Sequence, residues 1–110
     1  MKWIRVTTTE NIPLREGRSV RIGDEEIAIF NLGDRYMAVD NSCPHRGGPL
    51  CDGIVSGDTV VCPLHGWKIS LETGEVVKPD VCVKVGTYPV SVEDGVISVQ
   101  YSKRDEEKAA

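Results

Sequence analysis

Two short stretches organise this chain: Cys43-Pro44-His45-Arg46-Gly47-Gly48-Pro49-Leu50 and Cys62-Pro63-Leu64-His65-Gly66-Trp67, here called box one and box two. Each box contains one cysteine and one histidine, and the two histidines are the only ones in the protein. One thiolate and one imidazole from each box make the donor set of a mixed sulfur and nitrogen metal site. The sequence therefore predicts a single metal centre held by Cys43, His45, Cys62 and His65.

The residues around the ligands repeat one plan in both boxes. A proline follows each cysteine and restricts the backbone beside the thiolate. Glycines follow each histidine and allow the chain to turn sharply. We expect the two loops to face each other across one centre, with four residues packed around the ligands: Gly47, Gly48, Pro63 and Trp67.

The ligand count alone allows two kinds of metal centre. Zinc takes two cysteines and two histidines in a closed tetrahedral site. An iron–sulfur centre can instead place two cysteines on one iron and two histidines on the other. Zinc sites of this composition normally keep the cysteines together and the histidines together, whereas here each box is mixed. The mixed spacing favours the iron–sulfur centre.

With this spacing, Cys-Pro-His-Arg-Gly-Gly and Cys-Pro-Leu-His-Gly-Trp resemble the two ligand boxes of Rieske-type [2Fe–2S] ferredoxins. The resemblance covers nearly the whole chain and implies a small three-layered β fold that binds a Rieske [2Fe–2S] cluster. It also implies that Cys43 and Cys62 bind the inner, buried iron. The outer iron, near the surface, would then be bound by His45 and His65.

Three positions depart from the high-potential members of that family. Gly48 and Leu64 stand where the respiratory Rieske proteins have two disulfide-forming cysteines, which implies that this bridge is absent. Trp67 stands where those members have a serine that donates a hydrogen bond to a bridging sulfide. We therefore expect a reduction potential at the low end of the Rieske range, roughly −150 to 0 mV.

The flanks of the boxes indicate the redox partner. Box one, Asp52–Val55 and Leu71–Glu75 resemble the small subunit of NAD(P)H-dependent assimilatory nitrite reductase, which accompanies a large flavin and sirohaem subunit. The alternative is a diffusible Rieske ferredoxin that serves an aromatic-ring dioxygenase system, with a reductase and an oxygenase as its partners. A structural or interaction module that holds zinc is the alternative from a different functional class.

The sequence contains no arrangement of residues that predicts a general base, a nucleophile or a second iron site. Both histidines are assigned to the boxes, so none remains to hold a mononuclear catalytic iron. We expect a one-electron carrier, an electron-transfer subunit of an oxidoreductase that leaves bond chemistry to its partner.

Short apolar segments separated by turn residues predict an all-β fold of antiparallel strands, a small sandwich or partly open barrel with a loop-rich cluster-binding subdomain. Asp94-Gly95 is a strong signal for a type I′ hairpin turn. The predicted strands are 2–6, 19–22, 26–32, 36–39, 59–61, 67–70, 81–85, 89–93 and 96–100.

At 110 residues the chain is long enough for one domain. We expect a single Rieske domain over residues 1–101, with the cluster-binding subdomain at about 41–72 and a charged tail at 102–110. A net charge of −4 argues against nucleic acid as a partner and predicts a docking partner with a basic or mixed surface. No apolar run is long enough to span a membrane.

The cysteines and the N-terminus indicate the compartment. Met1 is followed directly by a predicted strand rather than by a signal peptide, which predicts a cytoplasmic protein. Cys51 and Cys82 are left over from the ligand set. We expect both to be small buried thiols in a reducing compartment, with a disulfide between them as the open alternative.

Overall fold

The structure is a computed structural model that describes residues 2–42, 48–64, 66–79, 81 and 84–101. Eleven strands and two short 3-10 turns, at Thr9–Asn11 and Leu50–Asp52, form this part of the chain. The strands are β1 Lys2–Thr8, β2 Gly17–Ile22, β3 Glu25–Asn31, β4 Tyr36–Asp40, β5 Ile54–Ser56, β6 Thr59–Val61, β7 Lys68–Ser70, β8 Val76–Lys78, β9 Thr87–Tyr88, β10 Val90–Glu93 and β11 Val96–Tyr101.

The strands make three antiparallel sheets. The outer sheet has the order β1-β11-β10, the middle sheet β2-β3-β4-β9 and the small sheet β5-β6-β7-β8. None of the three closes into a barrel. The predicted all-β antiparallel fold is therefore confirmed, as a layered arrangement of open sheets. No helix among the described residues is long and apolar enough to cross a membrane.

Strand β3 lies at the centre of the fold because both of its faces are covered. Ile27 and Ile29 pack against the outer sheet, in one core with Ile97 and Val99. Ala28 and Phe30, on the opposite face, pack in a second core with residues of the small sheet. Ile27 and Ile29 alternate along the strand and share one face. The equal burial of the intervening residues comes from the third layer.

The second core joins the small sheet and box two to the rest of the protein. Phe30 and Val39 of the middle sheet meet the inward side chains of the small sheet and the buried Cys62. The members from the small sheet and its connections are Leu50, Val60, Ile69, Leu71 and Val76. Box two therefore begins at a residue of the same apolar core that holds the small sheet in place.

One predicted turn and one predicted strand have different outcomes. Asp94 and Gly95 both have positive φ, 51° and 78°, as a type I′ turn requires, so that hairpin is confirmed. The predicted strand at 81–85 is not formed at its described residues, which show only an isolated bridge between Lys84 and Glu75. The Val85 N–H donates to Gly74 O at 2.8 Å, so this segment connects two sheets instead of extending one.

Candidate metal centre

Box two is a tight turn between β6 and β7. The Cys62 N–H donates to the carbonyl oxygen of Trp67 at 2.8 Å, and the Gly66 N–H donates to the carbonyl oxygen of Cys62 at 3.1 Å. Gly66 has φ +70°, a left-handed conformation that glycine adopts without steric cost. The backbone of Cys62 is thus fixed at both its N–H and its carbonyl group.

The described parts of the two boxes are in contact at the Cys62 thiol. A Cβ added at Gly48 of box one would lie 3.0 Å from Cys62 Sγ and 2.9 Å from Leu64 Cδ1. A Cβ at this position would press on both side chains, so glycine lets the backbone of box one lie against the side chains of Cys62 and Leu64. The expectation that the boxes face each other holds for these residues.

Asn41, two residues before box one, forms hydrogen bonds to the residues at the end of the box, a role that the sequence did not reveal. Its backbone carbonyl accepts the Leu50 N–H at 2.8 Å, and its side-chain Oδ1 accepts the Cys51 N–H at 2.9 Å. Next to these hydrogen bonds, Ser42 and Pro49 form an isolated antiparallel β-bridge. Asn41 is buried, 7% exposed, so water cannot readily replace its hydrogen bonds. Asn41 therefore joins the two sides of box one, residue 41 before it and residues 50 and 51 at its end.

Asp40, the residue before Asn41, binds the chain at and beside β9, the edge strand that pairs with β4. Its carboxylate accepts hydrogen bonds from the Gly86 N–H at 2.7 Å and from the Tyr88 hydroxyl at 2.5 Å. The ring of Tyr88 stacks on that of Tyr101, with centroids 5.9 Å apart. The signal in the sequence was two consecutive polar residues at the end of an apolar strand, with Ser42 between them and Cys43. Its meaning depended on partners 46 and 48 residues away.

Of the four predicted ligands, the structure describes Cys62 alone. Cys43, His45 and His65 lie outside the described residues, as does Gly47. Cys62 is buried, 2% exposed.

The predicted neighbours of the ligands fall into two groups. Pro63 and Leu64 are exposed at the tip of box two, and Leu64 is 55% exposed. Trp67 is half-buried and packs against the core beneath the small sheet. A buried thiol, a glycine pressed against it and an exposed apolar tip fit a cluster whose inner iron is enclosed by protein.

Cys51 is a free, half-buried thiol next to box one. Burial, and then the negative charge of Asp52, raise the pKa of Cys51 above its usual value. A raised pKa keeps the thiol protonated and weakly reactive. This agrees with the expectation of a small structural thiol, whereas Cys82 lies outside the described residues.

Comparison with known proteins identifies the family. The model of the Rieske [2Fe-2S] domain matches residues 2–89, so the chain belongs to this family. The ferredoxin subunit of the 3-phenylpropionate/cinnamic acid dioxygenase from Shigella flexneri is 36% identical over 86 residues, covering 76% of this chain and 81% of that one.

Two solved structures have the same fold. A chain in the complex of reduced oxygenase and oxidized ferredoxin of carbazole 1,9a-dioxygenase superposes with a TM-score of 0.80 at 28% identity, covering 88% of this chain and 100% of that one. A protein assigned as the small subunit of an NADH-dependent nitrite reductase from Mycobacterium tuberculosis has a TM-score of 0.82 at 27% identity, covering 93% and 96%.

Family membership establishes the cofactor and the class of function. The cofactor is a Rieske-type [2Fe–2S] cluster, and the chain is a Rieske ferredoxin that transfers electrons. This agrees with the expectation drawn from the two boxes.

Proposed function

We propose that Cys43 and Cys62 bind the inner iron of the cluster and that His45 and His65 bind the outer iron. The contact between Gly48 and Cys62 Sγ carries this proposal, because it brings box one onto the thiol of box two. When bound, the cluster accepts and releases one electron. The chain encloses the Cys62 side and fixes the box-two turn through Gly66 and Trp67.

Replacing Cys62 tests the ligand set against a matched control. We expect Cys62→Ser to abolish the visible absorption and the Rieske electron paramagnetic resonance signal of the reduced protein. Cys51→Ser, a change of the same atoms eleven positions earlier in the chain, should keep both. A coloured Cys62→Ser protein with an unchanged resonance signal contradicts the ligand assignment. A colourless wild-type protein that contains zinc supports the structural-module alternative instead.

The absence of a serine hydroxyl at position 67 supports a low reduction potential. Hydrogen bonds to cluster sulfur favour the reduced state, and Trp67 has no hydroxyl to donate one. We expect voltammetry to give a potential of roughly −150 to 0 mV. A value above about +200 mV would refute this argument.

We favour the small subunit of an NAD(P)H-dependent nitrite reductase as the physiological role. Support comes from the resemblance of box one and of residues 52–55 and 71–75, and from the likeness to the M. tuberculosis protein. In this role the chain passes single electrons to or from a large reductase subunit, which carries out the chemistry. We place this assembly in the cytoplasm, because the free thiol of Cys51 suits a reducing compartment.

The second candidate is a ferredoxin that serves an aromatic-ring dioxygenase. The Shigella relative and the carbazole dioxygenase complex favour it, since both belong to such systems. Purification of the tagged chain from its own host separates the two roles. A co-purifying large subunit with the absorption bands of sirohaem supports nitrite reductase, whereas a mononuclear-iron oxygenase supports the dioxygenase system.

A further inference from the structure

The outer face of the small sheet carries a row of side chains that crosses all four strands. Ile54 pairs with Val61, Val61 with Lys68, and Lys68 with Lys78. On β6 and β7 the adjoining residues, Val60 and Ile69, are fully buried and face the core, whereas on β8 the pairing shifts by one residue beside Lys68 and Val77 is exposed as well as Lys78. Lys68 and Lys78 are exposed, and Ile54 is 72% exposed. These four residues are called the lysine row.

The lysine row borders box two. Val61 is the residue before Cys62, and Lys68 follows Trp67, whose carbonyl oxygen accepts the Cys62 N–H at 2.8 Å. The exposed Leu64 lies at the tip of the same turn. A protein that approaches this end of the small sheet therefore comes close to the predicted cluster.

The charges of the two lysines are not offset by any described neighbour. Like charges directly opposite each other on adjacent strands destabilise a sheet. In the part of the chain that the structure describes, neither lysine takes part in an ion pair. The ion pairs found there are Arg18–Glu16, Arg21–Glu26 and Arg35–Asp34. No ion pair among the described residues therefore offsets the repulsion between Lys68 and Lys78.

Most of the described acidic residues of the small sheet lie at the end remote from Cys62. Asp58 is in the turn between β5 and β6, and Glu72 and Glu75 are in the connection between β7 and β8. Asp52 precedes β5 at the box-two end, two strands from Lys68, a spacing of about 10 Å. Both lysines are therefore at the end beside box two, and three of these four acidic residues are at the other end.

We propose that the lysine row is a docking surface for the acidic surface of a redox partner protein. The proposal rests on the electron-transfer function proposed above and adds the charge of the partner. The net charge of −4 predicted a basic or mixed partner. Local charges decide a docking contact, because the Debye length is only about 8 Å at physiological ionic strength and more distant charges are screened.

The electrostatic potential at this surface can be measured with two small oxidants of opposite charge. The loaded protein is reduced with dithionite and mixed with ferricyanide, which takes one electron and becomes ferrocyanide, or with the cationic tris(phenanthroline)cobalt(III). At about 0.01 M ionic strength we expect Lys68→Gln/Lys78→Gln to slow the ferricyanide reaction at least roughly threefold and to accelerate the cobalt reaction. Added salt should slow the ferricyanide reaction of the wild-type protein.

A second double variant controls for net charge. Arg21→Gln/Lys84→Gln also removes two positive charges, but at positions away from the lysine row. Arg21 pairs with Glu26, and Lys84 lies opposite Glu75. It should leave both rates near those of the wild type. Equal effects of the two double variants, or a ferricyanide rate that rises with salt, would overturn the proposal. Asp80, outside the described residues, is unchanged in every variant.

Poly-L-glutamate serves as the acidic macromolecular probe. It should slow the ferricyanide reaction of the wild-type protein and of the control variant but not of Lys68→Gln/Lys78→Gln. Sedimentation at low salt should show a monomer. A dimer lost in the lysine variant would assign the row to a second copy and overturn the proposal. A protein without a cluster spectrum contradicts the proposed function itself, whereas a loaded protein without these effects contradicts the docking surface alone.

Discussion

Strands β3 and β7 show two ways of building a sheet in one small protein. β3 is seven residues long, and four consecutive side chains, Ile27 to Phe30, are fully buried between two other layers. β7 is three residues long and buries only Ile69, while Lys68 faces solvent. The middle sheet is enclosed by protein on both sides. The small sheet packs on that layer with one face, and its other face is exposed to solvent.

The largest expected effect comes from removing the side chain that joins the two regions. Phe30→Ala should lower the free energy of unfolding by about 3–5 kcal/mol, because it leaves a cavity between the middle and small sheets. Ile29→Ala is the matched control, since its side chain faces the outer sheet. Denaturant unfolding should show both losses, whereas only Phe30→Ala should speed loss of the cluster absorption. Equal rates of cluster loss would contradict the division into two cores.

Removal of the cluster should loosen the small sheet and spare the middle one. We expect reduction and chelation to raise amide exchange in β5–β8 by about tenfold or more, since local openings follow regions with few buried contacts. The N–H groups of Ser70 and Leu71, bonded to Glu75 O and Asp58 O, are suitable reporters. Amides of β3 should keep their protection. Equal loss of protection in both regions would show that they unfold as one unit.

Asn41 should matter more than an exposed asparagine with a similar number of hydrogen bonds. Asn41→Ala should cost about 1–3 kcal/mol, because the buried Cys51 N–H loses its acceptor. Asn11→Ala, which removes bonds to the hydroxyls of Thr7 and Thr8 at the surface, should cost less than about 0.5 kcal/mol. Denaturant unfolding of the cluster-containing proteins measures the loss of unfolding free energy in each variant. Similar losses in the two variants would argue against a stabilising role for the Asn41 hydrogen bonds beside box one.

The smallest effect should be a gain in stability on the free face of the small sheet. Lys78→Glu turns a repulsive cross-strand pair with Lys68 into an attractive one, worth about 0.2–1 kcal/mol. Lys84→Glu places like charges opposite each other at Glu75 and should lower stability by a similar amount. Thermal unfolding at low salt compares the two. If Lys78→Glu lowers stability, the pair is not repulsive in the folded protein.

The sequence predicted the strands of the outer and middle sheets closely, except for the two-residue β9, because apolar alternation and turn residues act over a few neighbouring positions. Asp94-Gly95 is an example, since both residues have the positive φ that this dipeptide favours. The strand expected at 81–85 was less successful. Its described residues bond to Gly74 and lie beside Glu75, contacts that a local pattern does not contain.

The candidate site also combines features that the sequence predicted with contacts that only the structure revealed. The amino-acid sequence by itself determined the family, the cofactor and the set of four predicted ligands, because a metal restricts the type and spacing of its ligands along the chain. Only the tertiary structure revealed that Asn41 closes box one, that Gly48 touches Cys62 Sγ and that Lys68 faces Lys78. The physical reason is register: these contacts join residues that become neighbours only when strands and loops pair across the fold.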